Sequence, residues 1–106
     1  MTLAVARLVI RYGKLAEWND AMGRLLPIME DQGWTLLASY QTIIGNFHEA
    51  YDVWEIPNAD AVGAGLVGAA SHPDFGTLGA DLAASIESET LSIVVEAPFF
   101  TARAAQ

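Results

Sequence analysis

The spacing of hydrophobic residues changes along the chain and divides its first third into a strand and a helix. Residues 3–12, "LAVARLVIRY", are short and rich in Leu, Val and Ile, a composition typical of a β-strand. Residues 14–32 place apolar side chains at steps of three or four, which predicts the apolar stripe of an α-helix. Pro27 is expected to kink or shorten this helix, and Gly33 to end it.

The middle of the chain predicts a β-hairpin. Residues 34–44, "WTLLASYQTII", and residues 47–56, "FHEAYDVWEI", both have the composition of strands. The Gly45-Asn46 pair between them is a signal for a two-residue turn. Pro57 is expected to end the second strand of the hairpin.

The last part of the chain predicts a broken helix and a closing strand. Residues 59–71 are dominated by small residues, which would let a helix approach a sheet closely. His72-Pro73 interrupts the helical pattern, and residues 74–88 resume it. Residues 89–100, "ETLSIVVEAPFF", have the composition of a strand.

This order of elements predicts the fold class. A strand, a helix, two strands, a broken helix and a final strand form the βαββαβ pattern of an α+β, ferredoxin-like fold with an antiparallel four-stranded sheet. The length of 106 residues is that of one domain. We expect this domain to span residues 1–100, followed by a C-terminal tail at 101–106.

The register of the hairpin predicts which side chains share a face of the sheet. With a two-residue loop, Ser39 lies opposite Asp52, on a side that also carries Gln41, His48 and Trp54. This mixture of polar and apolar groups is typical of the lining of a ligand pocket. We therefore expect this side to face away from the helices.

Two other residues are placed by the same alternation. Tyr51 belongs to the more apolar side of the hairpin, which we expect under the helices. In the first strand the more apolar set also belongs under the helices, which leaves Arg7 on the mixed face. The first and third strands are neighbours in a ferredoxin-like sheet, so Arg7 is expected near Asp52.

The composition predicts a homodimer. The chain is 53% hydrophobic and only 17% charged, although a small monomer has a large surface for its volume. A face buried against a second copy of the chain explains this imbalance.

The charge excludes several classes of partner. The net charge is −8, and the five cationic residues are too few and too scattered to bind nucleic acid or an anionic membrane. The chain has no Cys, which excludes thiolate chemistry and Cys-based metal sites. No apolar run reaches the ~18 residues of a membrane helix, and the N-terminus lacks the pattern of a signal peptide, so we predict a cytoplasmic protein.

The sequence resembles the NIPSNAP family of the dimeric α/β-barrel superfamily, from about Arg7 to Phe100. The segments that carry the resemblance are Gly13-Lys14-Leu15, the block from Gly45 to Glu55, His72-Pro73-Asp74-Phe75 and Pro98-Phe99. The resemblance implies two sheets packed face to face in a dimeric α/β barrel, with a pocket between each sheet and its helices. It also implies a cofactor-independent enzyme, of the cyclase, isomerase or monooxygenase type, that acts on a small hydrophobic metabolite.

Four residues are candidates for catalysis. His72, at the helix break, is the first candidate for proton transfer, and His48 is the second. Arg7 is expected to stabilise a developing oxyanion, and Asp52 to pair with it in the pocket. For each of them a structural role remains open: a solvent-exposed or capping His, and an ion pair inside the barrel.

Four further residues are candidates for substrate binding. Trp54 and Tyr51 would stack against an aromatic or apolar ligand, although both would serve equally as packed core or interface. Gln41 and Ser39 would supply polar contacts, and Gln41 is also a second candidate for oxyanion stabilisation.

No metal or cofactor is expected. His48 and Asp52 on one strand would lie about 13 Å apart, too far to bind one metal ion. The spacing of tryptophan and histidine does not match that of related haem-degrading barrels. The alternative function is a non-catalytic module that binds a ligand or assembles as a dimer.

Overall fold

The computed structural model describes residues 1–104 and confirms the predicted α+β, ferredoxin-like order of elements. The helices and strands, in chain order, are β1 (Thr2–Ile10), α1 (Leu15–Asp31), β2 (Thr35–Gln41), β3 (Glu49–Ile56), α2 (Ala61–Ala70), α3 (Leu78–Ser85), β4 (Ile86–Val95) and α4 (Pro98–Ala104). The sheet has the strand order β2-β3-β1-β4, and every neighbouring pair is antiparallel. Within residues 1–104, none of the helices combines the length and the apolar character needed to cross a membrane.

The exposure of the side chains along β1 shows which face of the sheet packs against the helices. Ala4, Ala6, Leu8 and Ile10 are each at most 4% exposed and lie in the core, whereas the residues between them are more exposed. Side chains alternate along a strand, so the even-numbered side of β1 faces the helices. We refer to this side of the sheet as the helix face and to the other side as the open face.

Helix α1 covers the helix face with the apolar stripe that its periodicity predicts. Its buried residues are Trp18, Ala21, Ile28 and Met29. Pro27 lies inside the helix, but the helix continues past it to Asp31, so the expected shortening is wrong. One missing backbone hydrogen bond is tolerated here because the residues on both sides of Pro27 are held by packing in the core.

The second half of the chain is broken as predicted, but its last elements have different bounds. Helix α2 ends at Ala70, and α3 begins only at Leu78. Residues 86–88, expected to be helical, belong to β4, and this strand ends at Val95 instead of continuing to Phe100. Pro98 starts α4, since proline is favoured at the first position of a helix. Most of the predicted tail, up to Ala104, is therefore helical, and its last two residues lie outside the described range.

The hairpin loop is longer than predicted. Strand β2 ends at Gln41 and β3 begins at Glu49, so residues 42–48 form the loop. The Asn46 side chain donates a hydrogen bond to the Glu49 carboxylate at 2.8 Å, and the Glu49 N–H donates to the Asn46 carbonyl at 2.9 Å. The second bond closes a β-turn over residues 46–49, so the tight turn begins at Asn46 and is not centred on Gly45-Asn46 as predicted.

The register of the hairpin is confirmed from Ala38 to Gln41, but a bulge before Ala38 shifts the pairing by one residue, so that Trp54 lies opposite Leu36. The face predicted for the hairpin is wrong. Ser39 does pair with Asp52, and Gln41 with Ala50. However, Asp52 pairs with Ala6 on its other side and is only 1% exposed, so this side of the hairpin is the helix face.

The residue opposite Arg7 is Tyr51, on the open face. The expected proximity of Arg7 to Asp52 is therefore wrong, because the two side chains point to opposite faces of the sheet. The prediction failed because it counted Ile44 and Phe47 as core residues, whereas both are loop residues that are 89% and 59% exposed.

Candidate active site

A cavity of about 250 Å³ lies between the helix face of the sheet and the helices. The sheet contributes Ala6, Asp52, Trp54, Ile86, Glu89 and Leu91. The other walls are formed by Met22, Leu25, Met29, Trp34, Leu66, Ala69, Phe75 and Leu82. The walls are thus apolar except for two carboxylic acids, a composition typical of a small-molecule site.

Asp52 is the buried polar group of this cavity. Asp52 is 1% exposed, and the Ser39 hydroxyl donates a hydrogen bond to its Oδ1 at 2.5 Å. No residue among 1–104 donates a hydrogen bond to Oδ2, which remains available to a ligand. Burial raises the pKa of Asp52, and the hydrogen bond from Ser39 opposes this shift only in part.

Small neighbours give the Asp52 carboxyl its access to the cavity. Ala6 lies between Asp52 and Leu91 in one row across the sheet, since it pairs with both. A methyl side chain at Ala6 leaves space above the sheet that a larger residue would fill. Leu91, Ala6 and Asp52 therefore form the floor of the cavity.

Two tryptophans form one end of the cavity. The rings of Trp34 and Trp54 meet edge to face, with centroids 5.8 Å apart. The indole N–H of Trp34 donates to the Ala61 carbonyl at 3.3 Å, which ties this ring to the start of α2. Gly65 faces the same ring so closely that a Cβ atom would overlap the indole. Gly65 thus allows close packing of α2 against Trp34, which precedes β2, whereas the sequence predicted close packing against the sheet.

Glu89 is the second carboxylic acid of the cavity and lies at its mouth. It pairs with Leu8 across β1 and β4, which places it on the helix face. Partial burial, together with the negative charge of Asp52, raises the pKa of Glu89. Leu66, 53% exposed, is on the helical side of the same opening.

Arg7 and Tyr51 belong to a separate hydrogen-bond network on the open face. The Arg7 guanidinium and the Tyr51 hydroxyl both donate to Oε1 of Glu49, the latter at 2.7 Å. Asn46 donates to the other oxygen of the same carboxylate. The hydrogen bonds from Tyr51, Asn46 and Arg7 lower the pKa of Glu49 to about 2. Glu49 is thus a fully bonded carboxylate beside the hairpin loop.

His48 lies in the hairpin loop, beside an open groove that also includes Arg7 and Glu49. Its ring packs against Tyr12 with a centroid distance of 5.1 Å. The groove lies on the open face and does not connect His48 with the Asp52 side of the sheet.

His72 links the break between α2 and α3 to the end of α1. Its Nε2 is 2.8 Å from a carboxylate oxygen of Asp31, and its Nδ1 accepts a hydrogen bond from the Asp74 N–H at 3.0 Å. Both ring nitrogens therefore have protein partners, with Nε2 carrying the proton. His72 is not among the residues of the cavity.

The structure brings together only part of the predicted site. Asp52 and Trp54 line the cavity, and Ser39 contacts Asp52. Gln41 instead accepts a hydrogen bond at 3.1 Å from Asn19 of α1, at the rim of the sheet. Trp34 and Glu89 were not predicted as site residues, although the alternation within β4 would have placed Glu89 beside Leu91 on one face.

In the part of the chain that the structure describes, no three His, Asp or Glu side chains are close enough together to hold a metal ion. The cavity is lined by two acidic residues, Asp52 and Glu89. The cavity therefore offers proton transfer and hydrogen bonding at its carboxyl groups, within an apolar enclosure.

The fold is that of several solved structures. A NIPSNAP domain protein from Burkholderia xenovorans is 17% identical, with a TM-score of 0.77 over 93% of this chain and 97% of that one. A NIPSNAP family protein from Agrobacterium tumefaciens is 20% identical, with a TM-score of 0.75 over 93% and 96% of the two chains. SnoaB, a cofactor-independent oxygenase from Streptomyces nogalater, is 14% identical, with a TM-score of 0.67 over 91% and 92%.

No protein-family model matches the sequence, and no curated protein matches it significantly. The comparisons with solved structures therefore show the fold. The resemblance to NIPSNAP proteins that the sequence predicted is confirmed at this level: the chain has the ferredoxin-like fold that NIPSNAP proteins share with a cofactor-independent oxygenase.

Proposed function

We propose that the protein is a cofactor-independent enzyme that acts on a small apolar metabolite in the cavity between the sheet and the helices. The observation that carries this proposal is the position of Asp52. A carboxyl group that is 1% exposed, bonded only through Oδ1 and open to an apolar cavity at Oδ2 is costly for folding. Such a group is expected where a substrate supplies the missing contact.

The size of the cavity limits the substrate. Its volume of about 250 Å³ is below the range of about 300–1,000 Å³ that holds drug-sized ligands. An apolar cavity of about 150 Å³ already holds benzene. The substrate is therefore a single ring with substituents, or a molecule of similar bulk. Trp34 and Trp54 supply the aromatic surface against which such a ring would stack.

In the proposed chemistry, Asp52 removes a proton from the substrate. Burial raises its pKa, so that its ionised form is a stronger base than an exposed aspartate. The hydrogen bond from Ser39 orients the carboxyl group and leaves Oδ2 to accept the proton. Removal of a proton from carbon or oxygen is the first step common to isomerisation, cyclisation and cofactor-independent oxygenation. The SnoaB likeness in fold is consistent with the last of these.

A catalytic role for His48, Arg7 or His72 stays a prediction and is not part of this proposal. His48 and Arg7 lie on the open face, and both ring nitrogens of His72 are engaged by Asp31 and Asp74. The proposal therefore assigns proton transfer to Asp52 alone.

A base in an apolar cavity can be tested without knowing the natural substrate. A nitro-substituted benzisoxazole is neutral, and its ring opens when a base removes the proton on carbon: the C–H bond and the N–O bond break, and a coloured cyanonitrophenolate forms. We expect saturable ring opening by the purified protein, with a loss of at least about tenfold in Asp52→Asn. His72→Ala and His48→Ala should leave this rate within about twofold.

Access to the cavity can be tested with a matched pair of variants. Leu66 lies at the mouth of the cavity, whereas the neighbouring Val67, 69% exposed, is not part of it. Leu66→Trp should raise KM or abolish ring opening, and Val67→Trp should have no effect. A probe that binds in the wild type without any turnover dependent on Asp52 would favour the alternative function, a non-catalytic ligand-binding module.

We also propose that the chain forms a homodimer through the open face, as in a dimeric α/β barrel, and that it is cytoplasmic. Val5 and Val53 pair on this face, and Tyr40 and Tyr51 pair next to them. Tyr40 is 63% exposed and Tyr51 37% exposed in the single chain. A second copy would cover these apolar side chains, which a soluble monomer would leave in water.

A further inference from the structure

We propose that the substrate carries a cationic head group, an ammonium, which Glu89 binds at the mouth of the cavity while the apolar body lies against the aromatic walls. This inference rests on the proposed function of the cavity and specifies its class of substrate. It makes Glu89 a specificity-determining residue, distinct from Asp52.

The charges of the cavity select against anions. Its lining residues include two carboxylic acids, Asp52 and Glu89, and no Lys, Arg or His. The whole chain carries a net charge of −8, which adds to the same potential. A carboxylate or phosphate group would thus enter against repulsion, whereas a cation would be attracted.

Glu89 has no protein cation to neutralise it. In residues 1–104 no ion pair or side-chain hydrogen bond involves its carboxylate. Arg24 of α1 is already bound to Asp81 at 2.8 Å and to Asp20 at 3.2 Å, in a different groove. Glu89 is itself exposed and lines the apolar cavity, so its carboxylate can meet a cation that enters from solvent.

The aromatic residues of the cavity support the same chemistry. Trp34, Trp54 and Phe75 all contribute to its walls. Their rings supply flat apolar surface against which the body of an aromatic substrate can stack. A cavity that combines ring faces with carboxylates therefore matches an aromatic or apolar amine better than it matches an acid.

The positions of the two acids agree with a division of roles. Asp52 pairs with Ala6 of β1, and Glu89 pairs with Leu8 on the other side of the same strand. The two acids are thus separated by two strand spacings across the sheet and by two residues along it. This corresponds to about 12 Å between their Cα atoms at usual strand spacings. One small molecule can thus reach both carboxyl groups, with its ammonium at Glu89 and its reacting atom at Asp52.

The test compares three probes with one skeleton and different head groups: phenethylamine, phenethyl alcohol and phenylacetate. Their affinities for the wild type are measured by NMR titration at about pH 7. We expect the amine to bind at least about fivefold more tightly than the alcohol, and phenylacetate to bind most weakly. Glu89→Gln should weaken the amine about fivefold and leave the alcohol within about twofold.

The control variant is Glu87→Gln, which makes the same change of charge on the same strand. Glu87 is exposed and is not among the residues of the cavity. It should leave the amine affinity unchanged, and an equal loss in both variants would show that only the overall charge matters and overturn the inference. Alcohol binding equal to or tighter than amine binding would also overturn it.

Failure of the ammonium inference can be distinguished from failure of the proposed function. If the wild type opens the benzisoxazole ring through Asp52 but shows no preference for the amine, the ammonium inference is wrong and the enzyme proposal stands. If the cavity neither binds the probes nor opens the ring, both proposals are wrong.

Discussion

The hydroxyl group of Ser39 and the carboxyl group of Asp52 form a hydrogen bond of 2.5 Å across β2 and β3, on the helix face of the sheet. This bond is the only side-chain hydrogen bond that Asp52 receives from residues 1–104. The carboxyl group therefore has one oxygen fixed by the protein and one oxygen left to the cavity. Its environment explains both its proposed chemistry and its effect on stability.

Asp52→Asn is expected to stabilise the protein at neutral pH. Burial raises the pKa of Asp52, so the unfolded chain releases this proton at a lower pH than the folded chain does. As the pH rises between the two pKa values, the unfolded state binds fewer protons and the free energy of unfolding falls. The cost is absent below the unfolded pKa and complete above the folded one. Thermal unfolding should show a higher Tm for Asp52→Asn at about pH 7 and no gain near pH 3.

Ser39→Ala provides the comparison for this prediction. It removes the hydroxyl donor but keeps the buried acid, and we expect it to lower the free energy of unfolding by about 1 kcal/mol. A lower Tm for Asp52→Asn at neutral pH would contradict the view that the acid is maintained at the expense of stability.

Gly65 and Gly63 of α2 should respond in opposite directions to the same substitution. A Cβ atom on Gly65 would overlap the Trp34 indole, whereas one on Gly63 would have no neighbour within 4 Å. Gly65→Ala should lower the free energy of unfolding by about 1 to 3 kcal/mol. Gly63→Ala should raise it by about 0.5 to 1 kcal/mol, because alanine restricts the unfolded chain. Urea unfolding of the two variants is the measurement, and equal effects would refute the close packing on Trp34.

The network around Glu49 should contribute to stability at moderate but not at very low pH. Hydrogen bonds from Tyr51, Asn46 and Arg7 lower its pKa to about 2 from an ordinary value of 4.5. Its contribution is therefore present above the unfolded pKa and is lost as the pH falls towards 2. Glu49→Gln should flatten the dependence of stability on pH in this window.

Glu55→Gln is the matched control for Glu49→Gln. Glu55 lies on β3 as well, and in residues 1–104 its side chain takes part in no hydrogen bond or ion pair. Acid titrations of the unfolding free energy should therefore be the same for Glu55→Gln and the wild type. A pH dependence unchanged by Glu49→Gln would be inconsistent with the network.

The proposed dimer predicts the effect of a charge on the open face. Val53 pairs with Val5 and Ala38 at the centre of this face. Val53→Lys would place an ammonium inside the interface and should convert the dimer to a monomer. Val67→Lys, on the exposed side of α2, should remain dimeric. Sedimentation at micromolar concentration distinguishes these outcomes, and a monomeric wild type would contradict the prediction.

The sequence predicted the elements and the pairing of the hairpin but not its orientation. The pairs Ser39–Asp52 and Gln41–Ala50 are both centred between residues 45 and 46, which is also the centre of the predicted two-residue turn, so they were placed opposite each other correctly. The choice of face depended on which side had more apolar residues. Ile44 and Phe47 decided this choice wrongly, because both belong to the loop.

The open face explains why counting apolar residues could not settle the orientation. It carries Val5, Val53 and Tyr51, so both faces of this sheet are apolar. Binary patterns distinguish core from solvent, and they fail where both faces of a sheet carry apolar residues. The same limit applied to Glu89, whose role depends on a cavity formed by helices that are distant in sequence.

Ala6 gives the cavity a property that can be changed separately from its chemistry. Its methyl group is the part of the floor directly beside the acid, and it is held on a central strand between two neighbours. Valine or leucine at this one position would shorten the longest molecule that the cavity admits, without altering the base that acts on it. In the proposed enzyme, Ala6 would thus set the length of the substrate, and its replacement would give variants graded by the size of the ligand that they accept.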